Sequence, residues 1–249
     1  MNALPASAEP VPLLRHLLAT ARAKSADIAA QLHPAWVQAA WQRIGFDTPP
    51  AVAGARSEAA LASALGSALG SVYGLRWASL AGFQHRAHRI ALLPRDQVLR
   101  VLAAVALHAE RERVRRCIGR GARQAVIERI GEAAYNELMS APRGDAGAAG
   151  ALSASDLDPE RLAAAGYARL SERREWHCKH TLAWVRLALA PGSTKGSTHG
   201  DPSFAFPSTS SSAATSTSSH GDSMMARLPH YFPEHAWLFG SPMDRALSA

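Results

Sequence analysis

The sequence predicts an all-α fold, a compact helical domain with a disordered C-terminal Ser/Thr-rich tail. Hydrophobic residues make up 47% of the 249 residues, and most of them are Ala and Leu, which lose little entropy in a helix. Val, Ile, Tyr and Phe, which favour strands, are scarce. Apolar residues recur at spacings of three and four, which indicates helices. After Pro191 the composition changes abruptly to Ser, Thr and Gly.

The N-terminal part is predicted to be helical from about Leu13 onwards. Residues 1–12 are rich in Pro and Ala and are expected to be a flexible N-terminus, and the helical domain is expected over residues 13–190. Pro34 suits the first turn of a helix. Ser57 is the expected cap of a later helix, because the leucines after it follow a four-residue spacing. They are Leu61, Leu65 and Leu69.

A helical hairpin is the clearest feature of the middle of the chain. The first helix opens at Pro94, is apolar nearly all round at first, and becomes densely charged from Glu110 to Arg116. Such a pattern predicts burial between other helices, followed by emergence into solvent. A second helix, with one apolar face, is predicted over about residues 122–139. Residues 140–155, with several glycines, are expected to form a loop.

One long helix is predicted to complete the domain. Asp158 is its expected cap and Pro159 its first residue, and the pattern continues to about Ala190. Apolar residues mark two opposite sides of this helix. One side is expected to join the core, and the other to make either a second core contact or a partner surface.

The end of the chain divides into two segments. Residues 191–223 have almost no apolar side chains, so they are predicted to be a disordered linker. Residues 224–249 contain a short aromatic cluster. Two interpretations stay open for this aromatic tail: a docking peptide for another protein, or a segment that folds back onto the domain.

No set of residues predicts catalysis, a metal site or a cofactor. His177-Cys178-Lys179-His180 has metal-binding side chains, but a structural zinc site needs four ligands and no second pair accompanies it. The only other cysteine is Cys117, and two cysteines form no disulfide framework. Gly119-Arg120-Gly121 lacks the Gly-Lys-Ser/Thr ending of a phosphate loop. The sequence therefore predicts a protein that is not an enzyme and has no small-molecule substrate.

The formal charge of +7 leaves alternatives in play. Arginines flank the predicted hairpin turn, an arrangement shared with DNA-binding helix-turn-helix units, but nearby glutamates dilute the positive field. A nucleic-acid-binding regulator is therefore a disfavoured alternative. A secretion chaperone is another, against which the positive charge argues.

No apolar run approaches the ~20 residues of a bilayer span, so a cytoplasmic protein is expected.

Several weak motifs, in order, resemble a known family. They are His33-Pro34-Ala35-Trp36, Arg89-Ile90-Ala91-Leu92-Leu93-Pro94, Arg113 to Arg116, Gly131-Glu132-Ala133-Ala134-Tyr135 and Ala165-Gly166-Tyr167. Their order and spacing are similar to those of the SctK family of type III secretion accessory proteins, which includes YscK and PscK, and most closely to its Hrp branch. The resemblance covers roughly residues 30–190 and does not extend to the Ser/Thr-rich tail.

This resemblance implies a component of the cytoplasmic sorting platform of the secretion apparatus. Family members link the cytoplasmic domain of the inner-membrane ring protein (SctD) to the pod protein (SctQ), with no enzymatic activity or cofactor. The implied partners are those two proteins, and contact with the membrane is expected only through them.

Seven residues are the candidates for partner binding. Aromatic and arginine side chains are the usual anchors of protein interfaces. The aromatic candidates are Trp36, Trp176 and Trp184, and the charged candidates are Arg113, Arg116, Arg120 and Arg123. For each tryptophan, packing in the core is the alternative.

Overall fold

The computed structural model describes residues 11–26, 28–48, 50, 54–73, 80–83, 85–117, 119–141, 150, 152–172, 178–192 and 219–239. Within these ranges every regular element is helical. This confirms the predicted all-α class.

Four helices form the N-terminal part: α1 (Val11–Ala26), α2 (Ile28–Gln31), α3 (Pro34–Arg43) and α4 (Ala55–Tyr73). Pro34 is the first residue of α3, and the Nδ1 atom of His33 accepts a hydrogen bond from the Ala35 amide at 3.1 Å. Because the first amides of a helix have no partner within it, this cap stabilises the start of α3. Helix α4 packs against α2 and α3.

Two short 3₁₀ helices, Leu80–Phe83 and Arg86–Leu92, precede the central helix. Every residue from Ala87 to Leu92 is buried. Arg89, fully buried, donates from Nε to the Phe83 carbonyl at 2.8 Å and from Nη1 to the Leu238 carbonyl at 2.9 Å. The rigid fork of a guanidinium group suits such a bridge between two backbone oxygens.

A buried lysine attaches α1 to this region. The Nζ atom of Lys24 donates to the carbonyl of Leu93 at 2.5 Å. Burial lowers the pKa of Lys24 to about 7. Desolvation disfavours the charged ammonium, so α1 is held by a lysine that gives up its proton far more readily than one in water.

The predicted hairpin is present, but each of its helices is interrupted. The four helices are α5 (Arg95–Ala109), α6 (Arg111–Arg115), α7 (Arg120–Ile130) and α8 (Glu132–Ser140). The chain leaves helical geometry at Glu110, between α5 and α6. The chain leaves helical geometry again at Gly131, between α7 and α8, where the φ of 88° is accessible to glycine at little cost. Apolar spacing continues across both breaks, which is why the sequence predicted two uninterrupted helices.

The predicted last long helix, expected to reach about Ala190, is also divided. Helix α9 (Pro159–Ser171) begins as predicted, with Asp158 accepting from the Arg161 amide at 2.9 Å. Helix α10 (Lys179–Leu187) begins after Cys178, whose backbone is extended. Helix α9 packs mainly on α5, whereas α10 packs on the Arg86–Leu92 segment. Two different packing partners explain why one straight helix does not form.

Helices α5 and α9 meet at the centre of the body. Gly166 of α9 lies so close to the Leu102 carbonyl that a Cβ atom at position 166 would overlap the oxygen. Ala163, one turn earlier, is fully buried. Small residues on this face of α9 allow the two backbones to touch.

The C-terminal segment returns to the body. Helix α11 (Ser219–Tyr231), the 3₁₀ helix Pro233–His235 and helix α12 (Ala236–Phe239) carry seven buried apolar side chains. They are Met224, Met225, Leu228, Tyr231, Phe232, Leu238 and Phe239. Of the two interpretations of the aromatic tail, the structure has the fold-back, because α11 packs on α8 and α12 packs on Arg86–Leu92. In the predicted linker, Ser219 to Ser223 are helical, and residues 193–218 lie outside the described ranges.

Candidate partner-binding surfaces

The three candidate tryptophans have different environments. Trp36 is half-buried, and its Nε1 donates to the Leu189 carbonyl at 2.8 Å. Its ring meets the edge of Tyr73 with centroids 5.2 Å apart, so it joins α3 to the end of α4 and to the segment that follows α10. Trp184 is 4% exposed and packs in the core, which is the alternative to a partner role. Trp176 lies outside the described residues.

Arg113, a candidate for partner binding, is turned towards the body. Its guanidinium forms ion pairs with Glu110 at 2.8 Å and with Asp156 at 2.9 Å. Hydrogen bonds from Ser153 and then Arg113 lower the pKa of Asp156. Each of these charges is thus engaged within the chain. Arg113 therefore connects α6 to the 3₁₀ helix Ala154–Leu157, which precedes α9.

Other arginines of the hairpin also have internal partners. Arg111 donates to the His108 carbonyl at 3.1 Å, and Arg129 to the Leu157 carbonyl at 2.9 Å. Arg115 pairs with Glu112 at 2.6 Å and donates to the carbonyls of Met139 and Ala141. Several of the arginines that suggested DNA binding therefore form contacts within the chain that attach α6, α7 and α8 to their neighbours.

Three predicted arginines are exposed around the α6–α7 turn. Arg116 directly follows α6, and Arg120 and Arg123 lie in the first turns of α7, which has no acidic residue in its first turn. The Arg123 guanidinium lies 5.2 Å from the centroid of the Tyr135 ring. A cation over an aromatic face is held in place with its edges open to water. We call these three arginines the basic tip.

An exposed apolar turn lies elsewhere, at the end of α3. Ile44 and Phe46 are 38% and 44% exposed. The Phe46 amide donates to the Trp41 carbonyl at 2.9 Å, and the two rings meet edge-on at 5.9 Å. Trp41, in contrast, is buried. We call Ile44 and Phe46 the apolar turn. Sequence reasoning missed it as a site because apolar residues beside tryptophans are expected in a core.

The described residues hold no cluster of three or more metal-ligating side chains. His180 is exposed on α10, and His177, its predicted neighbour in the His-Cys-Lys-His sequence, lies outside the described residues. Among the helices that the structure describes, none has the length and apolarity to span a membrane.

Comparison with known proteins gave one family match. The family model described as "Bacterial type III secretion protein (HrpB4)" matches residues 16–234. The matched range includes α11 as well as the segment over which the sequence resembles the SctK family. No curated protein and no solved structure matches this chain.

Proposed function

The chain belongs to the HrpB4 family of bacterial type III secretion proteins, and from this premise we propose that it is a non-enzymatic adaptor of the secretion sorting platform. In this role it links the cytoplasmic domain of the inner-membrane ring protein (SctD-type) to the cytoplasmic pod protein (SctQ-type). The family match over residues 16–234 carries the proposal. The protein would act at the cytoplasmic side of the inner membrane, reaching the membrane through its partners alone.

An adaptor needs two surfaces that are held apart, and two areas of the described chain suit that role. The apolar turn ends α3, which packs on α2 and α4, whereas the basic tip begins α7, which packs on α5 and α8. The two areas thus belong to different groups of helices. An apolar surface gains from burial against a partner, and an arginine surface supplies charge-assisted hydrogen bonds. We propose one partner for each.

Copurification of three components tests this proposal. The full chain is expressed with the cytoplasmic domain of the ring protein and with the pod protein of the same secretion system, and complexes are separated by size. We expect both partners to copurify with the chain. The proposal is wrong if neither does.

Two variants assign the surfaces. I44D/F46D is expected to lose one partner and keep the other, and the triple variant R116Q/R120Q/R123Q is expected to show the opposite selectivity. The control A59D/A60D adds the same charge on the exposed face of α4 and is expected to keep both. Loss of both partners in one variant, with its helical content unchanged, would argue against separate surfaces.

A further inference from the structure

We propose that the surface formed by α8, α5 and the 3₁₀ helix Arg86–Leu92 is a helix-binding site, and that residues 219–239 are its built-in, displaceable ligand. We call this surface the docking surface. The C-terminal segment covers it until another helix with the same pattern of side chains takes its place. The inference goes beyond the proposed function and does not depend on which secretion proteins bind the chain.

The C-terminal segment is held by elements that are distant from it in the sequence. Residues 193–218, which precede it, are mainly Ser, Thr and Gly. Helix α11 packs on α8, and α12 packs on the 3₁₀ helix Arg86–Leu92. The most extensive helix contact of the described chain, between α5 and α9, does not involve the segment. The body therefore has a core of its own, on which the segment lies as a bound peptide would.

Helix α11 has the side-chain pattern of a helix that binds another protein. Ala226 and His230 are exposed. Five apolar side chains at spacings of three and four are each at most 3% exposed: Met224, Met225, Leu228, Tyr231 and Phe232. Anchors at these spacings are how an amphipathic helix places its apolar face on a partner. The docking surface therefore fits a helix of this kind.

Two ion pairs determine the direction in which the segment lies. In α11, Arg227 pairs with Glu137 of α8 at 3.2 Å. After α11, Glu234 pairs with Arg100 of α5 at 2.9 Å. A helix bound in the reverse direction brings like charges together at both places, which is unfavourable. The docking surface therefore favours a helix that is basic before its aromatic anchors and acidic after them.

Helix α11 depends on the docking surface for its stability. Gly221 lies near its start, and Pro229, inside it, has no amide hydrogen to donate. Isolated helices of about this length are marginal even when their residues favour helix formation. The segment is therefore expected to lose its helix when it leaves the surface, so that binding and folding occur together.

Exchange with a labelled peptide tests the proposal in the complete chain. A site for a specific protease is inserted between Thr209 and Ser210, and the protein is used both intact and after cleavage. The probe is a fluorescein-labelled peptide of residues 219–239, measured by fluorescence anisotropy at equilibrium. We expect saturable binding to the cleaved protein. Binding to the intact protein is expected to be at least about tenfold weaker, because the tethered segment competes at a high effective concentration.

Three outcomes of this experiment overturn the proposal. If the peptide binds neither form, the segment is not displaceable. If the peptide binds the intact protein as tightly as the cleaved protein, or more tightly, it occupies a place other than the docking surface. If cleavage removes most of the helical signal in circular dichroism, the segment is required for the fold of the body and is not a ligand of it.

Two peptide variants separate the buried face of α11 from its exposed face. L228D places a carboxylate where the leucine is fully buried, and is expected to weaken binding to the cleaved protein by at least about tenfold. A226D adds the same charge at an exposed position two residues away, and is expected to change the affinity by less than about twofold. Equal losses for the two peptides would overturn the proposal, because binding would not use the buried face.

A charge exchange places the bound peptide on α8. R227E in the peptide and E137R in the chain each bring like charges together at the ion pair between α11 and α8. Each change alone is expected to weaken binding by about twofold to fivefold, and the two together are expected to restore it. If the combination binds no better than either single change, the peptide does not lie on α8 and the proposal is wrong.

Discussion

The α5–α9 crossing and the C-terminal segment are both buried, but they are held by opposite means. At the crossing, side chains are small, and the Gly166 position touches the backbone of Leu102. In the C-terminal segment, large side chains are buried, and polar groups from distant parts of the chain are hydrogen-bonded to it. The Arg89 guanidinium donates to the Leu238 carbonyl, and the His108 ring is hydrogen-bonded to the Tyr231 hydroxyl. The comparison indicates that the crossing is sensitive to added volume, and that the C-terminal segment is sensitive to lost partners.

The largest expected effect follows from adding one methyl group at the crossing. Gly166→Ala forces α5 and α9 apart, because the new Cβ overlaps a backbone oxygen that no rotamer can move. Overpacking of this kind costs about 3 kcal/mol of unfolding free energy, more than the gain of roughly 1 kcal/mol in helix propensity. Urea unfolding measures the change. An unchanged midpoint would mean that the backbones are not in contact.

The next largest loss of stability is expected from removing the Arg89 side chain, which is hydrogen-bonded to the C-terminal segment. Arg89→Met leaves the carbonyls of Phe83 and Leu238 without this donor. Each buried carbonyl left without a donor costs about 1–3 kcal/mol of unfolding free energy. Removing the buried guanidinium charge offsets part of this cost, because that charge no longer has to be taken out of water. A net loss of about 2 kcal/mol is therefore expected. Limited proteolysis of the variant should also cleave the chain at sites closer to α12 than the sites cleaved in the parent chain, because α12 is no longer attached by Arg89. Arg43→Met, an exposed arginine in α3, is the control and should change neither result.

A smaller effect is expected at the polar contact inside the C-terminal segment. The Tyr231 hydroxyl and His108 Nδ1 are 2.7 Å apart. Tyr231→Phe keeps the ring and removes this hydrogen bond, so a loss of about 1 kcal/mol is expected. Thermal unfolding of Tyr231→Phe, His108→Leu and the double variant gives the coupling between them. Strictly additive losses would show that the hydrogen bond contributes nothing to holding the segment.

The smallest expected change is a gain in stability, and it serves as the counterpart of the loss expected for Gly166→Ala. Gly66 lies within α4, and a Cβ atom there would meet nothing within 4 Å. Gly66→Ala is therefore expected to stabilise the protein by about 1 kcal/mol, since alanine is the better helix former. The same substitution in two helices thus has opposite outcomes. A loss of stability for Gly66→Ala would show that α4 also has a close neighbour at this position.

A pH test applies to α1. Because the pKa of Lys24 is lowered to about 7 by burial, the unfolded chain binds more protons than the folded one between about pH 7 and the ordinary lysine pKa of about 10.4. Stability contributed by this site therefore rises with pH through that window. The difference in unfolding free energy between the parent chain and Lys24→Met should change in this direction from neutral to alkaline pH. A pH-independent difference would contradict the lowered pKa.

Much of the local structure could be predicted from the sequence. Pro34, Asp158 and Pro159 start helices where predicted, because caps and proline act within a few residues of themselves. The breaks at Glu110 and Gly131 could not be predicted in the same way. Apolar spacing continues through them, and the chain bends there to meet other helices. The helical class and the helix starts are local properties; the bends are not.

The candidate sites divide along the same line. The sequence identified Arg116, Arg120 and Arg123 as a charged area, and their exposure agrees with a place on the surface. It could not distinguish Arg113, because Asp156 lies 43 residues away. It also left Trp184 between core and surface, and the structure buries that side chain.

By itself, the sequence determined the all-helical class, several helix starts and the motifs that resemble the SctK family, since these depend on residue type and short spacing. Only the tertiary structure decided which apolar and charged side chains face inward. Leu238 reaches Arg89 across 149 residues, so the aromatic tail becomes part of the core. The physical reason is that burial depends on partners brought together by the whole fold. No short stretch of the chain contains both partners of such a contact.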